Sequence, residues 1–179
     1  MSAIILIGPS GVGKTTIGNS LEKNSDKIIF FDIDKDIAEL YNIDNVSEYL
    51  IQEGANNYLR NSMDRIEYLD GINNEYIILC ALGSGALRSL SIEQKLKFYK
   101  DNIIYLDAHP NVAYNRWKNK NNPNNVTYEQ YIFSNYSYRM KIIYNISKHW
   151  ASVNSNDIDE NIKDVNKAID NIIVLKAGK

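Results

Sequence analysis

Ala3-Ile4-Ile5-Leu6-Ile7-Gly8-Pro9-Ser10-Gly11-Val12-Gly13-Lys14-Thr15 decides how the rest of this chain is read. Its first five residues are an unbroken aliphatic run that stops at a glycine, the pattern of a short strand buried on both faces. Its last eight fit G-x-x-x-x-G-K-[ST], placed after a predicted strand and at the opening of a predicted helix over Gly13 to Lys23. In such a loop the glycines allow a tight turn, so that successive backbone N–H groups point inward at phosphate oxygens. The helix N-terminus adds its partial positive charge. Gly8 through Thr15, with Thr16 next along the helix, are therefore the expected nucleotide-binding residues. Lys14 is placed to reach the β and γ phosphates as a catalytic cation, and Thr15 to give its hydroxyl to Mg²⁺.

Outward from this loop, further apolar runs predict strands at Ile28 to Phe31, Tyr76 to Ala81 and Ile103 to Leu106, with a weaker one at Ala151 to Val153. Helical patterns lie between them, over Asp34 to Tyr41, Ser47 to Ile51, Gly54 to Leu69, Ile92 to Tyr99 and Pro110 to Trp117. Two longer ones follow, over Tyr128 to Ser147 and Ile158 to Ile173. Strands alternating with helices imply crossover connections and a parallel sheet. The expectation is one α/β domain over residues 1–179, a three-layer P-loop NTPase-type fold with a central parallel sheet of about five strands. The Asn-rich stretch Asn119 to Asn125 has neither periodicity nor apolar residues, so an exposed, mobile loop is expected, either a plain surface connection or, given its flanking basic residues and its place after the fourth strand and helix, a lid over about residues 118–126.

Composition narrows the function classes. Hydrophobic residues make up 44% and charged residues 23%, which excludes long disorder, collagen and a disulfide scaffold. Every apolar run is far shorter than the roughly 18 residues of a membrane span, so no membrane partner is expected. The N-terminus lacks a secretory signal pattern and the lone Cys80 cannot form an internal disulfide, both of which suit a cytoplasmic protein. A monomer or small homo-oligomer is expected. Net charge is −2, yet Ala108 to Trp150 carries six basic residues against the single acid Glu129, a local excess of five. That excess suits either a polyanion or a solvated basic face.

A phosphate loop alone is shared by kinases, GTPases, motor ATPases and nucleotide sensors. At 179 residues there is little room for motor modules, and no Asn-Lys-x-Asp tetrad for guanine is present, which favours a small phosphotransferase. Asp32 and Asp34 end the second predicted strand at i and i+2. Alternation puts both at the carboxyl edge of the sheet, where open α/β folds bind ligands. One acid can hold Mg²⁺ while the other orients an acceptor hydroxyl for in-line attack. The bland alternative is that Asp34 caps a helix starting at Lys35.

With these residues in hand, the chain resembles the shikimate kinase family of P-loop small-molecule kinases along most of its length. The resemblance rests on the Gly8 to Thr15 loop, the Asp32-x-Asp34 pair, Gly54 followed by Tyr58-Leu59-Arg60, and Gly83-Ser84-Gly85-Ala86 after the third strand. Arg116 then lies on a helix before the lid, and Arg139 on a long helix beyond it. It implies ATP and Mg²⁺ as cofactors and a small hydroxylated acceptor as partner, with catalytic Asp34 contacting the acceptor hydroxyls and Asp32 left with Thr15 for the metal. It also implies that Arg60 and Arg139 hold an acidic group, that Gly83, Ser84 and Gly85 line the acceptor pocket, and that Arg116 lies against the adenine.

Two departures from the family's pattern matter. Asn122 stands before Pro123 where the family's lid has an arginine, with Lys118 or Lys120 as candidate substitutes, although a lysine lacks the planar fork. Ser84 replaces a glycine. Both weigh against shikimate itself and leave ATP-dependent transfer to some small hydroxylated molecule. Two alternatives stay open: a nucleoside, nucleotide or nucleic-acid acceptor, motivated by the basic, tyrosine-rich second half, and a nucleotide-binding regulator without transferase activity. Cys80 is expected in the core, His109 and His149 too far apart for a zinc site, and most of the thirteen tyrosines in packing.

Overall fold

The computed structural model describes residues 3–44, 46–72, 75–121, 126–136 and 138–177, with side chains at all of these positions but 72, 121, 138–140, 142 and 177. Five strands, β1 (Ile4–Ile7), β2 (Ile28–Asp32), β3 (Ile77–Ala81), β4 (Ile103–Asp107) and β5 (His149–Ser152), form one sheet in the order β2-β3-β1-β4-β5. Every pairing is parallel. The helices are α1 (Lys14–Lys23), α2 (Ile33–Leu40), α3 (Val46–Gln52), α4 (Gly54–Ile72), α5 (Ile92–Leu96), α6 (Pro110–Asn121), α7 (Tyr128–Asn135), α8 (Tyr138–Ile146) and α9 (Ile158–Ala177). Two 3₁₀ segments, Ser84–Arg88 and Lys97–Asn102, complete the order. The expected α/β sandwich around a five-stranded parallel sheet is what the chain forms.

The aliphatic run at the N-terminus explains the layering. Every residue of β1 is fully buried. Successive side chains point to opposite faces of a strand. Accordingly Ile5 and Ile7 enter a core with Ile33, Tyr58, Leu59 and Cys80, while Ile4 and Leu6 enter a second core with Val12, Ile17, Leu106 and Val165. Each such side chain contributes about 1.5–3 kcal/mol of burial free energy. One pentapeptide thus anchors both faces. The strand order reverses at β1, and ligands of open parallel sheets bind beyond the carboxyl ends of strands at such a reversal. The phosphate-binding pattern follows β1 directly.

Three local expectations change. The single long helix over Tyr128 to Ser147 is two helices. Tyr136 closes α7 with φ −119° and ψ 30° and donates its hydroxyl to the Ala108 carbonyl at 3.1 Å, anchoring the chain where a continuous helix would have run on. The fifth strand begins at His149 rather than Ala151. His149 and Ala151 are buried whereas Trp150 and Ser152 face outward, an alternation too short to register as an apolar run. Helix α6 continues past Trp117 to Asn121, with Lys118 and Lys120 in its last turn, where the helix dipole favours cations. Of the expected lid, residues 122–125, including Asn122 and Pro123, lie outside the described residues. No helix among the described residues is long and apolar enough to cross a membrane.

Candidate active site

The loop between β1 and α1 turns on Gly11 and Gly13, which hold φ angles of 81° and 104° that side-chain-bearing residues rarely adopt. Gly13 then sits at the N-cap of α1 in the left-handed region. Lys14 folds back over the loop it follows, its ammonium donating to the carbonyls of Gly8 at 2.8 Å and Pro9 at 3.1 Å. Burial pushes its pKa down to about 8, against the pull of the Asp34 and Asp32 carboxylates, and the charge of Lys120 pushes it further in the same direction. A half-buried cation lining a cleft is poised to gain from an arriving polyanion.

At the end of β2, Asp32 is both the last strand residue and the N-cap of α2. One of its oxygens accepts from the Asp34 backbone N–H at 3.2 Å and the other from the Thr15 hydroxyl at 2.6 Å. Strand alternation therefore does not place Asp34, which stands on the first turn of α2, and the residue that caps the helix is Asp32. The two carboxylates still converge, since both register on Lys14. Two hard oxygen donors 2.6 Å apart at Thr15 and Asp32 suit an oxygen-preferring divalent cation. Among the described residues no cluster of three or more His, Cys, Asp or Glu forms an alternative metal cage.

Asp34 receives a short hydrogen bond from the hydroxyl of Tyr58, a fully buried residue of α4. Burial holds the Asp34 carboxyl above the usual carboxylate range, with the Tyr58 hydrogen bond opposing the shift. Gly83 lies directly behind this pair, and a Cβ there would overlap the Asp34 carboxylate and the Tyr58 hydroxyl. Glycine at 83 is thus dictated by close approach. Gly83 backs Asp34, whereas Ser84 and Gly85 line the cleft. The Ser84 and Ser10 hydroxyls share a hydrogen bond of 2.7 Å, which ties the second glycine turn to the phosphate loop.

These groups surround a cleft of about 1250 Å³ into which Lys14, Thr15, Thr16 and Asp34 all open. Arg116 lines it too, but its guanidinium is committed to the carbonyls of Val153 at 2.7 Å and Ser155 at 2.6 Å, and burial lowers its pKa. Of the two candidate lysines, Lys118 sits over the Tyr114 ring at 5.9 Å, while Lys120 lines the cleft and its charge reaches both Lys14 and Asp34. Arg60, expected to hold an acidic group, is exposed and is not among the cleft residues. The residue before it, Leu59, is fully buried, because the α4 register turns Tyr58 and Leu59 into the core and Arg60 out. Arg139 is on α8, with its side chain outside the described set.

Three contacts had no signal in the sequence. Tyr131 of α7 donates its hydroxyl to the Ser10 carbonyl at 2.5 Å, and Asn135 accepts from the Ser10 N–H at 3.1 Å, across separations of 121 and 125 residues. Tyr58 reaches Asp34 across 24 residues. The tyrosines of the second half mostly pack on one another. Tyr131 meets Tyr114 at 5.2 Å and Trp117 at 5.3 Å between ring centres, a buttress behind the phosphate loop. Cys80 is buried in β3, where burial pushes its thiol up to about 12, as a core residue should be.

Comparisons with known proteins agree with this geometry. The family model described as shikimate kinase matches residues 10–172. The shikimate kinase of Macrococcus caseolyticus is 32% identical over 177 residues, 98% of this chain and 99% of that protein. The shikimate kinase of Nitrosococcus oceani is 32% identical over 119 residues, 66% of this chain but only 60% of that protein. Among solved structures, shikimate kinase from Bacteroides thetaiotaomicron superposes with a TM-score of 0.74 at 15% identity, covering 94% of this chain and 98% of that one. Shikimate kinase from Acinetobacter baumannii in complex with shikimate gives 0.71 at 20% identity, covering 98% and 95%. At these identities the structural likeness speaks for the fold, and the matches in sequence carry the kinship. A family-model match over residues 10–172, together with a relative 32% identical over 98% of the chain, leaves one assignment: the chain belongs to the shikimate kinase family and is an ATP-dependent kinase acting on a hydroxyl.

Proposed function

We propose that the protein transfers the γ-phosphoryl group of ATP to a hydroxyl of a small, hydroxylated molecule whose identity as shikimate is not required by its site. The observation that carries the proposal is the convergence of Lys14, Asp34 and the Thr15–Asp32 pair on one cleft. In this reading Lys14 exchanges the Gly8 and Pro9 carbonyls for phosphate oxygens, and the N–H groups at the start of α1 orient the terminal phosphate. Asp34 accepts the proton of the acceptor hydroxyl and aims its oxygen at phosphorus, with Tyr58 fixing the carboxylate in place. Thr15 and Asp32 would hold Mg²⁺, which when bound neutralises phosphate charge. Lys120 adds positive charge to the cleft within reach of Lys14 and Asp34.

The basic segment gives the nucleic-acid alternative no more than scattered charge: of its six cations Arg116 is held by backbone carbonyls, Lys118 lies over a ring and Lys148 pairs with Asp101 at the surface. The deciding experiment measures ATP consumption and acceptor phosphorylation over hydroxylated acids, sugars, nucleosides and single-stranded oligonucleotides. Acceleration by one or more small hydroxylated molecules is expected. Tight nucleotide binding with no acceleration across the panel would instead establish a regulator.

A further inference from the structure

Five arginines occur in the chain, at 60, 65, 88, 116 and 139, and four of them have described side chains. Arg116 is committed to two carbonyls. Arg65 is paired with Asp36 at 2.7 Å and stacked on Tyr68 at 5.2 Å. Arg60 is exposed and off the cleft. Arg88 alone of the four lines the cleft with no ion pair or hydrogen bond among the described residues. It is also exposed, so its guanidinium is hydrated and available rather than structural.

Its position follows from local geometry. The segment Ser84–Arg88 is a 3₁₀ helix, in which residues i and i+3 eclipse, so Gly85 and Arg88 share one face. Gly85 presents no side chain and packs against Leu50 of α3, leaving Arg88 as the side chain that this face shows to the cleft. The segment begins at Gly83, directly behind Asp34, and at about 2 Å of rise per residue it carries Arg88 roughly 10 Å from that point. That distance spans a small polyhydroxylated molecule. The other charged groups on this side, Lys35 and Asp44, are of opposite sign. Tyr58 meanwhile fills the seat beside Asp34 from the α4 side, so nothing on α4 is left to meet an acidic group there.

From this we infer that Arg88 is the specificity-determining residue for the acceptor: it holds an anionic group, carboxylate or phosphate, at the end of the molecule remote from the hydroxyl presented to Asp34. A planar guanidinium binds either oxyanion through two parallel N–H···O bonds. The inference rests on the kinase reading given above and names the class of molecule, a hydroxylated acid, on which that kinase acts.

The test compares wild type with Arg88→Gln and Arg88→Lys in steady-state kinetics. The acceptors are shikimate and its methyl ester, gluconate and sorbitol, and glycerol 3-phosphate and glycerol. Wild type is expected to show a KM for at least one acid about tenfold or more below that of its neutral counterpart, and the pair concerned tells carboxylate from phosphate. Arg88→Gln should raise that KM about tenfold or more while moving the neutral acceptor's KM and the KM for ATP much less, and Arg88→Lys should retain part of the preference. Circular dichroism checks folding, which substitution at an exposed site should not disturb. A preference that survives in Arg88→Gln overturns the inference and leaves the kinase intact, as does a wild type indifferent to charge. If wild type phosphorylates none of the six but turns over a neutral acceptor of the wider panel, the inference is overturned and the kinase stands; if no acceptor of that panel accelerates ATP consumption, the kinase reading fails and this inference falls with it.

Discussion

The two walls of the cleft are built in opposite ways. The wall proposed for the nucleotide comes from eight consecutive residues, Gly8 to Thr15, whose conformation is dictated by glycine torsions and by the strand before them. The wall proposed for the acceptor is gathered from Asp34, Leu50, Tyr58 and the segment from Gly83 to Arg88, carried by α2, α3, α4 and a 3₁₀ turn. Backbone amides and a helix terminus serve any triphosphate, so the first wall has little freedom to vary. Side chains on separate elements can change one at a time, so the second has more freedom to vary.

Substitutions should separate the walls. Lys14→Ala removes the one cation of the phosphate loop and is expected to lower kcat/KM for ATP by roughly 10²–10³ or more while leaving the fold intact. A smaller loss with all acceptors would mean that the loop is not where phosphate charge is met. Gly83→Ala forces a methyl group onto the Asp34–Tyr58 pair. It should depress acceptor turnover at least tenfold with nucleotide affinity nearly unchanged, as read by calorimetry beside kinetics. Equal damage to both would dissolve the distinction.

Finer effects concern protons. Tyr58 donates to Asp34 and favours its charged form, so Tyr58→Phe should move the acidic limb of the kcat/KM profile to higher pH. An unmoved limb would show that Asp34 does not control it. On the other wall, Lys14 has a pKa of about 8 without nucleotide. Phosphate stabilises the ammonium and raises that value, so binding near pH 8 must take up a fraction of a proton, about one half, and affinity should weaken as pH climbs past 8. Calorimetry in buffers of different ionisation enthalpy reads this directly.

The same contrast explains what could be read from the chain alone. The aliphatic pentapeptide and the glycine pattern are contiguous, so the strand, the loop, the helix and the parallel sheet around them were legible, as was Asp32 beside Thr15. Sequence spacing does not fix the helical register of α4 to one residue, so it does not tell an Arg60 in the cleft from the outward one observed. Strand alternation does not extend to Asp34, because the backbone turns into α2 at Ile33. Tyr58, Tyr131, Asn135 and Arg88 were invisible as site residues, since each is made relevant only by elements brought together in folding. Beta5 was faint because only every second residue of it is buried.

The hydrogen bond between the Ser10 and Ser84 hydroxyls has a consequence beyond architecture. It ties the phosphate loop to the second glycine turn, and so gives a shift in either turn a route to its counterpart. Whatever nucleotide occupancy does to the grip on the second reactant, that reactant must do to the nucleotide in equal measure. Two loops buttoned together in this way give a kinase the means to handle its substrates as a correlated pair.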